Sequence, residues 1–163
     1  MQIFNYVMDY KHPIGSRVLQ YLIHIPHLLM GAVIKKNVQV VQLLIQSGID
    51  IDAQGDGNLA IIMLAVESGS IEIVQLIIAA GIDLNSQNND GITPLMRAVR
   101  QGSIDIVRAL IAAGANIDII NNQRQTAMSL ASTSMKKIIQ EAVMQRNILE
   151  FENIKITSST NES

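Results

Sequence analysis

The chain has no cysteine and no tryptophan among its 163 residues, and aromatic side chains make up only 3%. Without cysteine there is no disulfide framework, no thiol nucleophile and no Cys-based zinc or iron–sulfur site. The shortage of aromatics predicts an aliphatic core, dominated by isoleucine. Charge is also scarce: 16% of residues are charged, against roughly a quarter in an average domain. The 12 basic and 14 acidic residues give a net charge of −2, and no Lys/Arg block interrupts that balance. A nucleic-acid partner held by phosphate neutralisation is therefore not expected.

Membrane and targeting signals are equally thin. The opening stretch, MQIFNYVMDYKHPIGSR, lacks the basic start, apolar run and small-residue site of a secretory signal. Val18 to Ile34 reaches the minimum spanning length of ~17 residues, but it carries Gln20, His24, Pro26 and His27. A membrane partner is thus not expected, and an anchor at residues 18–34 is kept only as the alternative. What the chain has in quantity is apolar residues, at 48%, which excludes wholesale disorder.

These residues recur. Shifting the sequence by 33 positions superposes Gly48, Gly81 and Gly114, and places Gly69 on Gly102. Met30, Met63 and Met96 coincide, as do Ala32, Ala65, Ala98 and Ala131. Val40, Ile73 and Ile106 form another column, followed by Val41, Val74 and Val107. A fixed period of this length marks a stacked repeat, because one such unit cannot bury its own apolar face. The best-formed repeat is DGITPLMRAVRQGSIDIVRALIAAGANID, Asp90 to Asp118. Thr93 before Pro94 reads as an N-cap followed by proline at the first helical position. Gly102 supplies the left-handed residue that ends a short helix. Ser103 then starts a second helix with a buried stripe of Ile106, Val107, Leu110 and Ile111, and Gly114 closes it.

This repeat resembles the ankyrin repeat: Gly91, Thr93, Pro94, Leu95, Ala98, Gly102, Ile106, Val107, Leu110, Ile111, Gly114 and Ala115 all match its pattern. The resemblance implies an all-α, ankyrin-type helical-repeat solenoid with helical end caps. A helical N-terminal cap is expected over residues 1–21. Four repeats follow at about 22–54, 55–87, 88–120 and 121–150, and then a disordered polar tail over 151–163. The repeats are not equal. The second has Ala60, Ile61 and Ile62 in place of Thr-Pro-Leu, and Asn58 in place of glycine. The first keeps Gly48 but lacks the other glycines of the pattern and the Thr-Pro, and carries Lys36. The fourth loses a residue before Ile138 and Ile139, and its second helix is expected near Met135 to Asn147. Its Lys136, Lys137, Glu141 and Arg146 suit a solvated C-terminal cap.

Little here supports catalysis. His24 and His27 stand without cysteine or a carboxylate motif, so no metal site is expected. Asp83 and Asn85 repeat the positions of Asp50 and Asp52, which points to a turn role. Gly55, Gly57 and the Gly91 turn lack the rest of a phosphate loop. The expectation is a protein that is not an enzyme and has no cofactor. The resemblance implies instead a protein–protein interaction module, an adaptor, inhibitor or effector, that grips another protein through the concave face of the repeats; the alternatives are a membrane-associated ankyrin-like protein anchored through residues 18–34, or a remnant of a longer ankyrin-like protein. On the concave face the resemblance places Asp56, Leu59, Glu67, Asn89, Asp90, Ile92, Arg100 and Gln101, with Leu59 and Ile92 exposed beside Arg100 as the contact patch. Ile34 and Thr133 share the column of Glu67 and Arg100, while Lys35 and Ser134 share that of Gln101. A monomer is expected. The Ile-, Asn- and Gln-rich composition suits an AT-rich genome, and ankyrin-like proteins of such organisms are often delivered into host cells as effectors, so the expected location is cytoplasmic or inside a host cell.

Overall fold

A computed structural model describes residues 28–49, 51 and 61–160, with side chains as far as Glu152. The expected cap at 1–21, the three histidines, Asp50, Asp52, Asp56 and Leu59 all lie outside the described residues. The chain divides into two compact bodies, Met1–Ile82 and Asp83–Ser163. The first contains α1 (Leu28–Ile34), α2 (Val38–Gln46), α3 (Ile61–Ser68) and α4 (Ile71–Ala79). The second contains α5 (Pro94–Gln101), α6 (Ile104–Ala112), α7 (Ala127–Leu130) and α8 (Thr133–Thr160). No strand occurs among the described residues.

Local chemistry sets the helix ends. At the start of α5 the Thr93 hydroxyl accepts the Met96 N–H at 3.2 Å, and Pro94 follows at N1. At its end Gly102 adopts φ 73°, so that the Ser103 N–H reaches the Ala98 carbonyl and the Gly102 N–H that of Val99. The same pair of bonds closes α1, where Asn37 donates to Ala32 and Lys36 to Val33. Lys36 stands in the glycine column and is forced to φ 53°. The second helices start on side-chain caps: Asn37 accepts from the Val40 N–H at 3.1 Å, and Ser70 from the Ile73 N–H at 3.4 Å. Ser103 holds the cap position of α6 but makes no side-chain cap bond.

In each body two hairpins lie side by side. α1 packs on α2 and α3, and α4 packs on α2 and α3; likewise α5 packs on α6 and α7, and α6 on α8. The repeated columns form the core. Ala32, Ala65 and Ala98 are completely buried, as small residues must be where helices approach closely. Ile73, Ile106, Val74 and Val107 are buried too, and so are Met63 and Met96, which settles those two methionines as packing. Leu28–Ile34, the described part of the membrane candidate, is the first helix of a repeat with Leu29, Ala32 and Val33 turned inward. Among the described residues no helix is long and apolar enough to cross a membrane.

The fourth repeat departs from the expected layout. α7 is a four-residue helix held by reciprocal bonds between Thr126 and Ser129, and Ala131 is extended. Ser132 then accepts the Met135 N–H, so α8 begins at Thr133 rather than near Met135. With no glycine at the position matching Gly102, the break falls where a serine is available to cap. Thr133 and Ser134 consequently open the second helix and do not extend the column of Arg100 and Gln101. At the other end α8 continues to Thr160, through residues expected as tail, since neither glycine nor proline occurs after Gly114 to stop it.

Candidate partner-binding face

Asparagine builds the turns that precede the first helices of the second body. The Asn88 Oδ1 accepts the N–H groups of Asp90 and Ile92 at 3.0 and 2.9 Å, and the Gly91 N–H closes the turn on the Asn88 carbonyl. One repeat later, Asn121 does the same with Gln123, Gln125 and Arg124. Arg124 occupies the glycine column at φ 60°. The two turns are tied together: the Asn122 N–H donates to the Asp90 carbonyl at 3.1 Å and its amide to the Asn89 carbonyl at 2.9 Å. Gln87 adds bonds from Nε2 to the Gly91 and Ile120 carbonyls. Lower down, Asp83 accepts the Asn85 N–H and Asn85 accepts the Asn116 N–H, so this pair has the turn role its recurrence indicated.

The backbone of the turns is therefore engaged, while the side chains of Asn89 and Asp90 are exposed. Arg100 and Gln101, at the end of α5, are exposed as well, and so is Glu67 at the end of α3. Ile92 is a correction. It is only 6% exposed and belongs to the core, not to a contact patch. Its carbonyl and N–H are both bonded to Asn88, and the Asn121–Arg124 turn passes directly over adjacent Gly91. An isoleucine held in that place gains ~1.5–3 kcal/mol by being covered. Among the described residues of these columns the exposed apolar side chain is instead Ile34, 61% exposed at the end of α1. Asp56 and Leu59 fall outside the described residues. What remains exposed of the predicted face on the second body is polar: Asn89 and Asp90 at the turn, and Arg100 and Gln101 at the end of α5.

Among the described residues, the carboxyl with a displaced pKa is Glu72 in the first turn of α4, lowered by its own backbone N–H and by the Ser70 hydroxyl at 2.9 Å. Both are helix-capping contacts, so the shift marks a helix end and no reaction centre. Among the described residues no group of three His, Asp or Glu side chains converges to hold a metal ion.

Paired short helices repeating every 33 residues, with asparagine-built turns bonded one to the next, define a helical-repeat protein of the ankyrin type. The family description "Ankyrin repeats (3 copies)" matches residues 15–88 and 62–148, and the chain belongs to that family. It is also similar to a solved structure, the ankyrin repeat domain of Bcl-3, a unique member of the IkappaB protein family, at 31% identity and a TM-score of 0.65. That match covers 69% of this chain and 50% of the Bcl-3 chain, so this chain spans half the length of its structural relative. No curated protein matches the sequence. Ankyrin repeats are in general protein–protein interaction modules.

Proposed function

We propose that the chain is a non-enzymatic interaction module, of adaptor, inhibitor or effector type, that binds a partner protein through its turn tips and the ends of its first helices. The observation that carries this reading is the division of labour at the turns. Their backbone is bonded from repeat to repeat, whereas Asn89, Asp90, Arg100 and Gln101 are exposed. In the first body the corresponding contribution comes from Glu67, with Ile34 and Lys35 from the preceding repeat. Asp56 and Leu59 join the face by their place in the repeat. Arginine is among the residue types that dominate binding energy in interfaces, which makes Arg100 the anchor of the second body. The partner is read as one protein, with no nucleic acid and no cofactor involved.

The test is affinity capture of the partner followed by titration with variants. Arg100→Ala with Gln101→Ala is expected to weaken binding by ~2 kcal/mol or more while leaving the melting temperature unchanged. Gln75→Ala with Arg108→Ala, on exposed positions of the second helices, is expected to bind normally. Loss of binding in the second pair and not in the first would move the interface to the other side of the repeats.

A further inference from the structure

Arg124 is held in a conformation that nothing inside the chain rewards. Among the described residues, Lys36 and Arg124 are the two other than glycine with a left-handed backbone, at φ 53° and 60°. Glycine avoids the strain of that conformation and asparagine tolerates it. The sequence has both at the positions equivalent to Arg124, Gly91 in the third repeat and Asn58 in the second. Lys36 has a reason within the fold, since it follows the C-terminal end of α1, where the helix dipole favours a cation. Arg124 has none. It lies two residues ahead of Thr126, the N-cap of α7, the end of a helix at which positive charge is disfavoured. It is exposed, and among the described residues its guanidinium forms no hydrogen bond or ion pair, not even with Asp90 of the neighbouring turn. Space permits what strain opposes. A Cβ at Gly91 would lie 2.8 Å from the Asn122 Oδ1 of the following turn, whereas among the described residues no turn covers the exposed Arg124.

We propose that Arg124 contacts the partner protein, and that what it takes is a carboxylate on an acidic segment of that partner. The proposal rests on the reading that the turn tips bind a partner, and adds to it a residue and a chemistry. A backbone strained at one residue and braced on every side is the mark of a side chain kept for a contact outside the chain. The bracing is explicit. Asn121, 5% exposed, accepts the Gln123 and Gln125 N–H groups at 2.9 and 2.8 Å, and its amide donates to the Gln125 Oε1 at 3.0 Å. Asn122 fixes the same turn to the carbonyls of Asn89 and Asp90, which belong to the candidate face. A base fixed in advance lowers the ordering cost of binding. The guanidinium then presents a planar fork of free donors, two of which a carboxylate accepts at once. Arg100, exposed in the same body, adds a second positive charge with no ion pair among the described residues. With a net charge of −2 and no basic run around it, Arg124 makes a single directed contact, which suits a protein carboxylate and not a nucleic-acid backbone.

The test is selection of a random-peptide phage library on the full chain, followed by titration of a selected synthetic peptide against variants. Peptides enriched in Asp and Glu are expected. Arg124→Gly should weaken binding of such a peptide about tenfold and, by relieving strain, raise the melting temperature by about 2 °C. A merely structural role would lower both, and that result would overturn the proposal. Arg124→Lys keeps the charge but loses the fork, so its affinity should fall between the two. Changing the acidic residues of the peptide to Asn and Gln should erase the difference between the wild type and Arg124→Gly. Unchanged binding by Arg124→Gly, or a selection that yields no acidic peptide, would overturn the proposal. So would single-stranded DNA that binds the wild type and not Arg124→Gly. If Arg124→Gly binds normally while Arg100→Ala with Gln101→Ala does not, the turn-tip reading stands without Arg124. If neither change weakens binding, both fail.

Discussion

Gly91 and Gly102 share a left-handed backbone, at φ 74° and 73°, but they differ in their surroundings. A Cβ at Gly102 would meet nothing within 4 Å, so Gly102→Ala should cost only the left-handed strain, ~1–2 kcal/mol. At Gly91 it would lie 2.8 Å from the Asn122 Oδ1, 2.9 Å from the Asn122 backbone nitrogen and 3.0 Å from the Asn121 Cα. Two of these atoms are backbone and cannot swing away. Gly91→Ala should therefore cost ~3 kcal/mol or more, strain plus overpacking, measured by chemical denaturation. Equal losses at the two sites would show that the turns are not in contact. The two isoleucines make a second contrast. Ile92→Ala should destabilise by ~2–5 kcal/mol through a cavity, whereas Ile34→Ala should change stability by no more than ~0.5 kcal/mol. A melting curve for Ile92→Ala unchanged within error would contradict its burial.

Among the elements, α4 has a stability that depends on pH. The Glu72 carboxyl is held below its ordinary value of 4.5 by the α4 backbone and the Ser70 hydroxyl. A group with a depressed folded pKa adds stability above its unfolded pKa, and that contribution is lost as the pH falls through the folded value. Glu72→Gln is therefore expected to lower the melting temperature at neutral pH and to leave it unchanged in acid below the lowered pKa. A deficit of the same size at both pH values would exclude the charge as its cause. The helices themselves were largely legible in the sequence. Thr93, Pro94 and Gly102 bound α5 through bonds between near neighbours, which the sequence displays directly. The fourth repeat was not, because the break at Ser132 reflects a competition between a missing glycine and an available serine cap. Nor was the length of α8: a polar composition after residue 150 resembles a tail, and a helix end needs a stop signal that is absent there. The fate of Ile92 was hidden for another reason, since its burial depends on a turn one repeat away crossing Gly91.

For the molecule as a whole, each body repeats one plan, two hairpins sharing an aliphatic core, and the periodic columns foretold that core through Ala32, Ala65, Ala98, Ile73 and Ile106. The candidate face was legible only in part. Position in the repeat located Glu67, Asn89, Asp90, Arg100 and Gln101 on exposed ends and tips, but it could not distinguish a covered Ile92 from an open Ile34. The account's central claim is that partner binding runs through those ends and tips. Site-specific photo-crosslinking in cells that express the chain tests it most directly, with the reactive side chain placed in turn at Asp90, Arg100, Gln75 and Arg108. Adducts with another protein are expected from Asp90 and Arg100 and not from Gln75 or Arg108. Adducts formed only from Gln75 and Arg108 would contradict the account.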